Sequence, residues 1–211
     1  MWNQDKARLA LDEAWRALLA KDRDLARVWE RHGPPPERLR RPGFTGLLRA
    51  IVGQQISASA AASIWARLED AVVLTPAGLV GAGDRVLREV GLSPQKMLYV
   101  RDLAEAVIEK RLDFRRLERL EDEDAIAMLT GVRGIGRWSA EIYLLFVMRR
   151  MDALPAADLA LQEATRHLKR LATRPTEKRF RQLAEPWRPH RGLAALLLWH
   201  YYRHLKQREG V

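Results

Sequence analysis

Residues 129–140 read LTGVRGIGRWSA, and this stretch decides how the rest of the chain is understood. It sets Gly134 and Gly136 in a tight reversal between two helical segments, the second starting at Arg137. Such a turn leaves backbone N–H groups at a helix N-terminus without intrahelical partners, where they can hold a phosphate without reading a base. Val132, Arg133, Gly134, Ile135, Gly136 and Arg137 are therefore the candidate phosphate-binding residues. The two glycines would supply backbone conformations and close approach that a Cβ forbids. An ordinary helix–helix corner uses the same G-x-G, so the turn alone does not decide the function.

Working outward, Asp158 follows Gly136 by 22 residues, in the segment DALPAADLAL at 152–161, where Pro155 ends one helix before another begins. Asp is a favoured N-cap, so Asp158 is expected to cap the helix that follows. A cap and a catalytic carboxylate can be the same residue.

The remainder is expected to be all-α, since no alternating run is long enough for a strand. Leu11, Trp15, Leu18 and Leu19 fall at helical spacing, as do Met97, Val100, Ala104, Val107 and Ile108. Thr75-Pro76 and Ser93-Pro94 each place a capping hydroxyl before a proline at the first helical position. Residues 31–43 (RHGPPPERLRRPG) read as a linker, because three consecutive prolines cannot continue a helix. Two lobes are expected: residues 1–43 with 131–211, carrying the hairpin and Asp158, and residues 44–130 between them.

With 37 Lys and Arg against 27 Asp and Glu, the chain has a net charge of +10. From residue 159 onward twelve Lys or Arg stand against four Glu, so most of the excess lies in the last quarter. Codon bias alone would spread it more evenly, and the distribution points to a nucleic-acid face. The absence of cysteine excludes disulfides, thiol nucleophiles, thiolate zinc sites and cysteine-ligated iron–sulfur clusters. His200 and His204 lie one helical turn apart but lack the intervening Glu of a zincin site, so no metal is required. Neither a signal peptide nor a membrane-spanning run is read, and a cytoplasmic protein without membrane partners is expected.

Three separated motifs resemble the DNA-3-methyladenine glycosylase II family of the helix-hairpin-helix superfamily. They are IVGQQISASAA (residues 51–61), the hairpin with its following Asp, and EPWRPHRGLAALLLWHYY (residues 185–202). The resemblance implies a two-lobed helical fold with an active-site cleft between the lobes. It matches Asp158 to the catalytic Asp, and Trp138 and Trp199 to aromatics lining the base pocket. Gln55 matches the wedge that enters the duplex where the base has left, with Gln54 beside it as a helper. For the two tryptophans, plain core packing explains the sequence equally well. Where some relatives carry a further pocket aromatic, this chain has Ile142 with Tyr143 adjacent, which leaves the preferred base open. The β-rich N-terminal domain of some members is not seen in the sequence.

The implied activity is hydrolysis of the N-glycosidic bond of alkylated bases in damaged double-stranded DNA, by base flipping in base excision repair. The chain is expected to act as a monomer and without an organic cofactor. By resemblance alone, the carbonyls of Val132 and Ile135 are candidates for a monovalent cation. Bifunctional relatives carry a nucleophilic Lys at the position of Trp138, so an abasic product without strand cleavage is expected. Two alternatives stay open: a glycosylase for mismatched or oxidised bases, and a non-catalytic hairpin module that binds DNA. Arg137, Arg188 and Arg191 are read as phosphate contacts, as helix caps or as partners of Glu.

Overall fold

The computed structural model describes residues 2–36 and 42–208, and these contain helices and no strand. No helix among them is long and apolar enough to cross a membrane. Part of the expected linker, residues 37–41, lies outside the described residues. Backbone contacts divide the chain into two units: residues 1–38 with 149–211, and residues 39–148.

The middle unit contains α3 (Gly43–Gly53), α4 (Ala58–Ala71), α5 (Pro76–Gly81), α6 (Asp84–Glu89), α7 (Pro94–Ile108), α8 (Phe114–Leu117), α9 (Asp122–Thr130) and α10 (Arg137–Phe146). Local chemistry accounts for several of these boundaries. The Thr75 hydroxyl accepts from Gly78 N–H at 3.1 Å and that of Ser93 from Lys96 N–H at 3.3 Å, so both capping prolines stand where the sequence placed them. The buried stripe of α7 is Met97, Val100, Leu103, Ala104 and Ala106; Ile108, expected on it, is the last helical residue and is exposed. This stripe packs against α3, whose Leu47, Leu48, Ile51 and Val52 are buried in turn. Full burial of such side chains contributes roughly 1.5–3 kcal/mol each.

The boundary between units differs from the sequence expectation. The hairpin and α10 belong to the middle unit, because α10 packs on α9 and Gln54 at the end of α3 bonds to Gly134. Asp158 belongs to the other unit. The division therefore falls after the hairpin's second helix rather than between its two helices.

The terminal unit contains α1 (Trp2–Lys21), α2 (Arg23–His32), α11 (Leu159–Leu168), α12 (Glu177–Ala184), a 3-10 turn (Glu185–Trp187) and α13 (Arg191–Arg208). The stripe of α1 is buried at Trp15 and Leu18, while Leu11 and Leu19 are partly covered. At its centre Asp22 caps α2 through Asp24 and Leu25 N–H, and accepts from Trp187 Nε1 at 2.7 Å and Lys169 Nζ at 2.7 and 2.8 Å. A nearly buried carboxylate is tolerable only when its lone pairs are matched this fully. Asp22 thus joins the start of α2 to the end of α11 and to the turn before α13.

Candidate active site

In the middle unit the turn after α3 and the hairpin meet. Gln54 caps α3, and its Nε2 donates to the Gly134 carbonyl at 2.9 Å. Gln55 follows with φ +56°, a left-handed conformation uncommon for a side-chain-bearing residue, and is exposed, as is Ile56. Ser57 then caps α4 by accepting from Ala60 N–H. The sequence grouped the two glutamines together, but the structure separates them: Gln54 turns onto the hairpin and Gln55 stands in solvent.

The two hairpin glycines also differ. Gly134 has φ +85°, and a Cβ there would come within 2.3 Å of the Tyr99 ring, so the fold itself requires glycine. Gly136 has φ −83° and ψ 170°, with nothing within 4 Å of a notional Cβ. Only something outside this unit would demand its small size. Not every hairpin amide is available to a phosphate, since Arg133 N–H donates to Asp102 Oδ2 at 2.6 Å and Ile135 N–H to the Val132 carbonyl at 3.1 Å. The amides at the start of α10, from Arg137 onward, are those that helix geometry leaves without intrahelical acceptors.

The Arg137 side chain is engaged within the protein. It donates to both Glu123 oxygens at 3.0 and 2.6 Å and to buried Glu141 at 3.0 Å. Its hydrogen bonds to Glu123 and the charge of Glu141 outweigh burial and raise its pKa above the ordinary guanidinium value. Arg137 therefore contributes its backbone at the hairpin, while its guanidinium neutralises two carboxylates. Arg188 and Arg191 likewise pair with Asp152 and Glu185.

Trp138 is 43% exposed although it begins a helix with an otherwise buried apolar face. It lines a groove of about 1260 Å³ in the middle unit together with Gln54, Gln55, Tyr99, Gly134 and Ile142. Tyr143 has a different environment. It is buried, its hydroxyl accepts from Gly43 N–H at 3.0 Å, its ring lies against Phe114, and burial pushes its pKa up. Of the two residues following the hairpin aromatic, Ile142 faces the groove and Tyr143 anchors the start of α3.

In the terminal unit Asp158 is the N-cap expected from the sequence, with Oδ1 accepting from Leu161 N–H at 3.0 Å. The same oxygen accepts from Trp199 Nε1 on α13 at 3.1 Å. Asp158 and Trp199 are both only partly buried, and Leu159 beside them is 61% exposed. A carboxylate fixed by two donors on a helix start, with an open apolar neighbour, is oriented without being enclosed.

The C-terminal positive charge is less available than the sequence suggested. Arg166, Lys169, Arg181, Arg188 and Arg191 are all in ion pairs, and Lys169, Arg188 and Arg191 have partners before residue 159: Asp22, Asp24 and Asp152. His200 Nε2 pairs with the His32 carbonyl. Among the described residues no group of three or more His, Asp or Glu is arranged to hold a metal ion. Tyr99 and Asp102, which support the hairpin, escaped sequence reading because neither lies in a motif.

Residues 48–189 match the family described as HhH-GPD superfamily base excision DNA repair protein. The chain belongs to this superfamily. It is 30% identical over 194 residues to DNA-3-methyladenine glycosylase 1 of Schizosaccharomyces pombe, covering 90% of this chain and 82% of that protein. The crystal structure of DNA-3-methyladenine glycosidase from Bacillus halodurans superposes with a TM-score of 0.85 at 31% identity, covering 92% of this chain and 91% of the other. The Schizosaccharomyces pombe 3-methyladenine DNA glycosylase in complex with abasic DNA gives a TM-score of 0.77 at 30% identity, covering 89% and 95%. The helical superfamily fold thus agrees with the reading taken from the three motifs.

Proposed function

We propose that this chain is a monofunctional DNA glycosylase of the DNA-3-methyladenine glycosylase II type, which removes alkylated bases from double-stranded DNA and leaves an abasic site. The observation that carries this reading is the Asp158 carboxylate, held by Leu161 N–H and Trp199 Nε1 at a partly open helix start. The family and the alkylbase names of the similar proteins support it.

A stacked base is out of reach of a side chain, so the nucleotide must rotate out of the duplex, at a cost of a few kcal/mol. Gln55, exposed and projecting from its turn, fills the gap. The amides from Gly136 onward hold a backbone phosphate, and the carbonyls of Val132 and Ile135 would hold a monovalent cation whose charge adds to that attraction. One lone pair of the Val132 carbonyl is used by Ile135 N–H, which leaves the other for an ion. Trp138 offers an aromatic face to a positively charged base, a preference of roughly 0.5–2 kcal/mol over a neutral one.

When C1′–N cleaves, the bonding electrons leave with the base, and a base alkylated at a ring nitrogen departs neutral without needing a strong acid. The positive charge left on the sugar is stabilised by Asp158. The oxygen of water then bonds to C1′ and its proton passes to solvent. With Trp138 where an amine nucleophile would stand, no Schiff base forms and the strand stays intact.

The test is to incubate wild type and Asp158→Asn with methylated duplex DNA, measuring released bases, alkali-labile sites and borohydride-trapped adduct. Release of 3-methyladenine or 7-methylguanine by wild type alone, with alkali-labile but uncut strands and no trapped adduct, is expected. Trapping would overturn the monofunctional assignment. Release only from mismatched or oxidised duplexes would move the chain to another specificity. Duplex binding without any release would leave a non-catalytic DNA-binding module.

A further inference from the structure

Gln54 and Gln55 are adjacent in sequence and opposite in use. Gln54 ends α3 with φ −59° and is half-buried, with its side-chain amide donating to Gly134; Gln55 takes a left-handed backbone and is exposed. The hairpin is consequently gripped on three sides. Gln54 holds the Gly134 carbonyl, the Tyr99 ring lies against the Gly134 Cα, and Asp102 takes the Arg133 N–H. Only the first of these grips comes from the turn that carries Gln55.

We infer that Gln54 is a positioning residue and not a second wedge: it sets the phosphate-binding hairpin in register with the turn that presents Gln55. The inference rests on the DNA-glycosylase reading above. Its physical basis is that the carbonyl of a glycine in the left-handed region has no helix or sheet to fix it, so a side-chain donor determines how the hairpin's amides point. A phosphate contact is the same on damaged and undamaged DNA, whereas a wedge acts only where a base has left the stack. The two glutamines are therefore separable by experiment.

The Kd of wild type, Gln54→Met and Gln55→Ala is measured for an abasic duplex and an undamaged duplex across a salt series. Methionine preserves length and bulk but cannot donate. Gln54→Met is expected to weaken both duplexes by the same factor, about fivefold for one lost hydrogen bond. It should also flatten the slope of log K against log salt by up to about one phosphate contact. Gln55→Ala is expected to weaken only the abasic duplex and to leave the slope unchanged. Amide exchange at Gly134 and Gly136 in the free protein should quicken in Gln54→Met, a readout that needs no DNA, and Gln54→Leu should repeat both effects.

Selective loss on abasic DNA by Gln54→Met would make Gln54 part of the wedge and overturn the inference. So would unchanged affinity, slope and exchange in a variant whose wild type binds. If wild type binds neither duplex, the glycosylase reading falls too, a result distinct from a binding wild type with an unaltered variant.

Discussion

Trp199 Nε1 donates to Asp158 Oδ1 at 3.1 Å, on the oxygen that also accepts from Leu161 N–H at 3.0 Å. Two donors from different helices on a single oxygen fix the carboxylate's rotation and so set the direction in which the group is aimed. Trp199 is thus more than an aromatic surface, because its indole edge orients the proposed catalytic group.

Trp199→Phe keeps an aromatic ring and removes the donor. A hydrogen bond to a charged group is worth about 1.5–3 kcal/mol, so kcat on methylated duplex should fall roughly ten- to a hundredfold. KM should change little. Single-turnover kinetics of base release check this, and an unchanged rate would assign Trp199 to base stacking alone.

Gly134 and Gly136 should respond oppositely to alanine. Gly134→Ala meets a left-handed backbone cost of about 1–2 kcal/mol and a collision with Tyr99, so thermal unfolding should shift down clearly. Gly136→Ala has ordinary dihedrals and open space, so Tm should hold while duplex affinity drops. A Gly136→Ala variant with unaltered affinity would show that no phosphate approaches there.

These contrasts show what the sequence discloses. The caps at Thr75, Ser93 and Asp158 are local, set by residues within three positions, and all are legible. The partners of the hairpin are not: Gln54 lies 80 residues from Gly134, and Asp102 lies 31 from Arg133. The same limit applies to charge. Lys169 counts as a free cation in its own segment but is matched to Asp22, 147 residues earlier, so a local tally overstates the positive face. Side-chain chemistry identified the proposed Asp158, whereas only folding could show which cations remain for a partner.

The Asp22 network predicts an acid-sensitive terminal unit. Burial raises the Asp22 pKa, but the hydrogen bonds and charge of Lys169, with the Trp187 indole and Leu25 N–H, outweigh it and hold the value below the ordinary 3.8; Lys169 also lowers Asp24. Carboxylates with depressed folded-state values contribute stability above their unfolded pKa and lose it as pH falls through the folded one. The free energy of unfolding in denaturant should therefore fall as pH drops below about 4. Asp22→Asn should flatten that dependence. At neutral pH Asp22→Ala should cost about 1–3 kcal/mol, because it removes the α2 cap and leaves the buried Trp187 N–H without this acceptor, while Lys169 keeps Asp24. A variant as stable as wild type at both pH values would remove the network from the stability account.

Tyr143→Phe deletes the acceptor of Gly43 N–H, so about 1 kcal/mol of stability should be lost with base release per folded molecule unaffected. Ile142→Ala, which opens the groove wall, should instead alter the ratio of excised bases. The reverse pattern in unfolding and product analysis would return Tyr143 to the base pocket.

The contact between Gly134 and the Tyr99 ring also constrains the order in which this protein can change. Because the ring fills the space a side chain at 134 would need, any lineage replacing the glycine must first shrink the tyrosine. A shrunken residue 99 would meanwhile leave a hollow beneath the turn. The left-handed backbone at 134 would strain the new residue even then, so two separate costs close the position, and variation in the hairpin should enter at Arg133 or Gly136 before it reaches Gly134.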